Sequence, residues 1–176
     1  MTEIIHLPGI GDSGELHWHT LWEKADPAIS RFAPTSWDEP DLSDWIAALE
    51  KAVGAAQTPP ILVAHSLACL LVAHWHHVSD LPIRAAMLVA VPDPASPAFP
   101  RQAMSFADAP QGKFRFPSLI VASTNDPYGS LPYVQTRAEL WGSDLTIIGA
   151  AGHINSQSQL GDWPEGMALL RDFVIR

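Results

Sequence analysis

The chain is poor in the residues that staple a protein, attach it to anions or anchor it in lipid. Its 176 residues include a single cysteine, Cys69, so no internal disulfide can form. That excludes the disulfide-rich secreted scaffolds and fits a reducing compartment. Lys and Arg number 10 against 19 Asp and Glu, a net charge of −9. Residues 1–50 hold ten of the acids but only Lys24 and Arg31 as bases, so −8 of the −9 lies there. Such a surface repels phosphate backbones and anionic lipids, and no basic cluster reverses it, which argues against nucleic acid as a partner. No apolar run approaches the ~20 residues of a membrane helix. The opening MTEIIHLPGI carries Glu3 where an export signal carries Lys or Arg, so a cytoplasmic protein without membrane contact is expected.

What remains is an ordinary globular composition, 47% hydrophobic and 16% charged. The length suits one domain over 1–176, with no linker or repeat to divide it, burying about 70% of its unfolded surface. Apolar segments of strand length alternate with segments of helical period. Strands are expected at 3–7, 29–35, 60–65, 85–91, 118–123 and 145–148, and helices at 16–24, 42–56, 67–78, 131–141 and 164–173. Four of the strands are continuous apolar runs, the mark of a sheet covered on both faces, so the pattern predicts an α/β fold with a mainly parallel sheet of about six strands. Asp41 or Ser43 can cap the second helix, while Pro132 and Pro164 sit in the first turns of the last two. One connection is unusually long: 92–112 holds Pro92, Pro94, Pro97, Pro100 and Pro110 without any clear period. It reads equally as a functional rim or as a rigid surface excursion.

The chemistry concentrates where strands end. In Ala64-His65-Ser66-Leu67-Ala68 an apolar strand runs straight into an apolar helix with one hydroxyl at the junction. A sharp strand-to-helix turn lifts such an Oγ clear of the sheet and sets the helix N-terminus behind it, and small residues two before and two after the serine relieve the crowding. A similar string, Ala103-Met104-Ser105-Phe106-Ala107, has no strand before it. Read alone, Ser66 could equally be a helix cap. A nucleophilic serine also needs a base and an acid that orients the base, in the chain order serine, acid, histidine. Asp126 follows the strand ending near Ser123, and His153 follows the last strand, preceded by Gly152. Asp93 also trails a strand; Asp126 is preferred because its strand should border the one leading to His153. An oxyanion needs preorganised N–H groups. Leu67, after the serine, supplies one, and Ile10, in the turn of Gly9, Ile10 and Gly11, supplies the other.

That glycine-rich turn has neither the Gly-Lys-Ser/Thr ending of a P-loop nor dinucleotide spacing, so no phosphate cradle is expected. His17 with His19, and His74 with His76 and His77, invite a metal reading. On a helix i and i+2 face apart, so neither set makes a compact ligand group, and no metal or other cofactor is expected. Trp18 and Trp22 are spaced one turn apart, as in a core, with Trp18 near enough to the oxyanion turn to be a pocket wall. Gly9, Gly11 and Trp18 are thus the candidate substrate contacts. Cys69 reads as core.

His17-Trp18, the Ala64-His65-Ser66-Leu67-Ala68 turn, Asn125-Asp126-Pro127-Tyr128, Gly152-His153-Ile154-Asn155-Ser156 and Gly161-Asp162-Trp163-Pro164-Glu165-Gly166 together resemble the small cap-less α/β-hydrolases. They are most similar to the family of retinoblastoma-binding protein 9 and its bacterial relatives, the serine hydrolases. The resemblance spans nearly the whole chain. It implies an α/β-hydrolase fold without a cap domain, with Ser66 as nucleophile, His153 as base and Asp126 as orienter, acting on a small ester or related acyl substrate through an acyl-enzyme. Ala64 and Ala68 depart from the glycines common at this turn. The alternative expectation is a hydrolase-fold binding or scaffold protein with little turnover; no protein partner is legible.

Overall fold

The computed structural model describes residues 3–175. Met1, Thr2 and Arg176, at the ends of the domain expected over 1–176, lie outside the described residues. Six strands, β1 (Ile4–Leu7), β2 (Ile29–Arg31), β3 (Ile61–His65), β4 (Ala85–Val89), β5 (Ser118–Ala122) and β6 (Asp144–Ile147), form one sheet in the order β2-β1-β3-β4-β5-β6. Every adjacent pair is parallel. The helices are α1 (Trp18–Ala25), α2 (Leu42–Ala55), α3 (Leu67–Val78), α4 (Leu131–Trp141) and α5 (Pro164–Ile175), with short 3-10 turns at Arg101–Phe106 and Ser156–Ser158.

Side chains alternate across the central strands, and each face finds its own cover. Leu62, Ala64, Ala86, Leu88, Ile120 and Ala122 pack with residues of α2, α3 and α4, including Trp45, Leu71, Trp75 and Trp141. Ile61, Val63, Met87, Val89, Leu119 and Val121 pack with Trp18 and Trp22 of α1 and Leu170 of α5. This two-sided burial is why the strands read as unbroken apolar runs, and each Leu or Ile so buried contributes roughly 1.5–3 kcal/mol. The Asp41 carboxylate caps α2 by accepting the Asp44 N–H. Pro132 and Pro164 stand in the first turns of their helices, and Gly142 closes α4 in the left-handed region.

Departures from the expected elements have local causes. The strand expected over 29–35 stops at Arg31: this edge strand pairs with Ile4–His6 of β1, and after a last bond from the Phe32 N–H to the His6 carbonyl the chain leaves the sheet. β4 stops at Val89, where Ala90 takes φ 58° and breaks the extended backbone. α1 begins at Trp18, since His17 adopts extended backbone and caps the helix. The proline-rich segment is a fixed wall. Ala103 and Phe106 are fully buried, Phe106 packs edge-on to Trp45, and His74 Nε2–H donates to the Phe106 carbonyl at 3.0 Å.

Candidate active site

Turns following β1, β3, β5 and β6 meet above the C-terminal ends of the strands, where open parallel sheets bind their ligands. β3 passes into α3 through Ser66, whose φ of 56° and ψ of −123° are strained for a residue with a side chain. Ser66 occupies the cap position of α3, yet its hydroxyl makes no cap bond. It donates to His153 Nε2 at 2.7 Å. Ala64 and Ala68 are fully buried beside it with no positive φ, so their methyl groups fit at the turn.

The His153 Nδ1–H lies 2.9 Å from both carboxylate oxygens of Asp126. A carboxylate can only accept, so the ring's proton sits on Nδ1 and leaves Nε2 free to receive one from Ser66. Asp126 Oδ1 also accepts the Tyr128 N–H, and the Tyr128 ring stands 4.4 Å from the imidazole. Asp93, the competing acid, bends onto its own turn by accepting the Ala95 N–H at 2.8 Å. The segment carrying His153 is tied by four hydrogen bonds, three to the turn after β5 and one to α1. Gly149 O accepts from Thr124 N–H, Ala151 N–H donates to Ser123 Oγ, Gly152 N–H donates to Asn125 Oδ1 at 2.7 Å, and the Trp18 indole donates to Ile154 O at 2.8 Å. Gly152, at φ 56°, supplies the bend that the position before His153 requires.

After β1 the chain doubles back against the serine turn. A Cβ on Gly9 would lie 3.0 Å from Ser66 Cβ and 3.1 Å from the His65 carbonyl oxygen, so a side chain there would press the two turns apart by a few tenths of an ångström. Ile10 and Leu67 line a cleft of about 230 Å³ over Ser66. Among the described residues the N–H groups of both lack a protein acceptor. The Leu67 amide opens α3, where the helix dipole favours negative charge. Phe99, Pro100 and Ala103 form an apolar wall of the cleft, and Asp12, His17 and Asn155 a polar one.

Two of the expected substrate contacts stand elsewhere. Trp18 is 1% exposed and faces the α1–α5 core, so it supports the His153 segment through its indole instead of walling the cleft. Gly11, at φ 79°, donates its N–H to Trp37 O and shapes the turn without lining the cleft; Gly9 does line it. Cys69 is fully buried, and burial pushes its thiol well above the ordinary range, away from the reactive thiolate.

Sequence reasoning missed the buried imidazoles beside this site. His6 of β1, His65 of β3 and the helix cap His17 cluster with His19 of α1, with His6 stacked on His19 at 4.3 Å and His17 edge-on to His65 at 4.9 Å. His17 and His19 do not face apart, because His17 caps the helix instead of lying within it, and its Nδ1 accepts the His19 N–H. Burial lowers all four pKa values, that of His17 to about 4, so the rings are neutral. His6 donates from Nδ1 to Glu23, which Arg31 also holds. Among the described residues no group of three or more His, Cys, Asp or Glu is arranged to hold a metal ion. A run of histidines at odd spacing gave no periodic signal for this cluster. Only the expectation that apolar strand ends bury their neighbours could have found it.

Comparison with known proteins agrees with the fold. A family model described as serine hydrolase matches residues 4–172. A YdeN-like hydrolase from Pectobacterium atrosepticum is 30% identical, with a TM-score of 0.89 over 99% of this chain and 91% of that one. The ydeN gene product of Bacillus subtilis is 19% identical and superposes with a TM-score of 0.79 over the whole of both chains. An esterase domain from Rhodothermus marinus, 14% identical, has a TM-score of 0.65 over 98% of this chain and 88% of that one. No curated protein matches the sequence.

Proposed function

The chain belongs to the serine hydrolase family, and from that membership we propose that it hydrolyses small carboxylic esters through an acyl-enzyme, with Ser66 as nucleophile, His153 as base and Asp126 as orienting acid. The observation that carries this reading is the unbroken hydrogen-bonded chain from Ser66 Oγ through the His153 ring to Asp126. Ser66 attacks the ester carbonyl while its proton passes to His153 Nε2. The oxyanion is held by the N–H groups of Leu67 and Ile10, each worth roughly 3 kcal/mol in such sites. Collapse expels the alkoxide, which takes the proton from His153 and leaves as the alcohol. Water then attacks the acyl-enzyme, gives a proton to His153 and releases the carboxylic acid as Ser66 recovers its own.

The catalytic machinery, the cleft and its wall all sit on one domain in this reading, with no cofactor. The compact cleft and the lack of a cap favour short substrates, and the acidic N-terminal third disfavours anionic ones. A cytoplasmic setting is part of the same proposal; among the described residues no helix is long and apolar enough to cross a membrane. Labelling with a fluorophosphonate probe tests it. The native chain should be labelled covalently and hydrolyse short p-nitrophenyl esters, and Ser66→Ala should do neither. Equal labelling of both would remove Ser66 from the reaction.

A further inference from the structure

His65 adjoins the proposed nucleophile, yet its side chain points toward the proposed base. Its Nε2 lies 2.9 Å from the backbone carbonyl oxygen of His153. A carbonyl brings no proton, so His65 Nε2–H is the donor, and a neutral ring then carries its one proton there. Burial favours that state: the residue is 6% exposed and its pKa is held well below the ordinary histidine value by desolvation. Orientation is fixed as well. The ring stands edge-on to both His17, at 4.9 Å, and Trp18, at 6.1 Å, and its centroid lies 5.0 Å from that of His153.

From this geometry we infer that His65 is a positioning residue, whose Nε2–H holds the backbone of His153 so that the imidazole stays in line between Ser66 and Asp126. Resting on the proposed Ser66–His153–Asp126 chemistry, the inference adds a coupling to it. Other ties to this segment fall at Gly149, Ala151, Gly152 and Ile154. The bond from His65 is the one at the His153 carbonyl itself, and it comes from the residue bonded directly to Ser66. A single peptide link therefore sets the position of the nucleophile and the position of the base relative to each other. Without it the ring rotates or recedes from Ser66 Oγ, and small displacements of a reacting group carry a large rate cost.

The test compares His65→Leu, which keeps bulk and loses the donor, with His65→Gln, whose amide nitrogen reaches about as far along the side chain as histidine Nε2, and His65→Asn, which falls short. Folding is followed by circular dichroism. Folded His65→Leu should label with fluorophosphonate and turn over a short p-nitrophenyl ester about 10- to 100-fold more slowly, in kcat and not KM. His65→Gln should recover most of the rate. In NMR spectra the downfield His153 Nδ1–H resonance should be sharp in the native chain and in His65→Gln and broadened in His65→Leu. Should the leucine variant fail to fold, the contrast between glutamine and asparagine carries the same reading. Native rates in His65→Leu, or equal losses in the glutamine and leucine or asparagine variants, would overturn the positioning role while leaving the serine chemistry standing. A native chain that neither labels nor hydrolyses would overturn that chemistry, and the role of His65 with it.

Discussion

At Gly9 the absence of a side chain lets the first turn approach the serine. An alanine methyl there would press on Ser66 Cβ and the His65 carbonyl oxygen, both about as close as carbon ever approaches. Gly9→Ala should therefore push the Ile10 N–H away from the proposed oxyanion position and lower kcat by 10²-fold or more, the cost of about one donor, with a smaller change in KM. Steady-state kinetics on a short ester reads that difference. For the two candidate acids the expectations diverge. Asp126→Asn should leave the fold intact and lower kcat by about 10⁴-fold, because an amide facing Nδ1 stabilises the wrong tautomer. Asp93→Asn should leave turnover near the native level, since that carboxylate accepts the Ala95 N–H on its own turn, away from His153. Reversal of the two results would transfer the acid role to Asp93.

At the scale of elements, the 92–112 segment sets the shape of the cleft, and its anchor is Phe106. Phe106→Ala should cost about 3–5 kcal/mol in urea unfolding, whereas Met104→Ala, at a residue 54% exposed, should cost little. Whether this segment was a rim or an excursion could not be read from its prolines, because ties that fix it at Phe106, the Trp45 ring and the His74 imidazole, lie on α2 and α3, the nearer of them 32 residues before Phe106. By contrast α3 and α4 end where their apolar period ends, and β3 was legible because both its faces are buried. Edge strands were harder. β2 pairs on one side only and leaves the sheet after three residues although its apolar run goes on, and half-exposed β6 lies one residue earlier than its apolar run suggests. Within the site, the strand ends at Ser66, Asp126 and His153 were visible as pattern. The clustered histidines were not, since they come from β1, the turn before α1, α1 itself and β3, and no local spacing encodes that meeting. The tail string 161–166 has a packing cause: a Cβ on Gly166 would lie 2.3 Å from the Trp163 ring, so Gly166→Ala should lower Tm by several degrees without touching the cleft.

At the scale of the whole molecule the buried imidazoles couple stability to pH. His6, His17, His19 and His65 have folded pKa values below their unfolded value of 6.5. Above that value neither state binds the proton, and the full stability is present. As pH falls below 6.5 the unfolded chain takes up protons that the folded chain refuses, so stability declines steadily, for His17 until about pH 4. For Glu23, burial raises the pKa but the bonds from His6 and Arg31 outweigh it, and the net lowering adds a separate loss that begins only as pH falls below 4.5. Urea unfolding between pH 7.5 and 4.5 should show this decline, and His19→Leu should flatten it. A profile that is level across that range would contradict the neutral cluster. The sheet's far edge has a separate consequence. β6, half open to solvent and paired on one side only, delivers the proposed base, so warming should release that margin before the centre yields. Turnover would then vanish several degrees below the collapse of the circular dichroism signal and return on cooling, with β6 behaving as a thermal fuse for the chemistry.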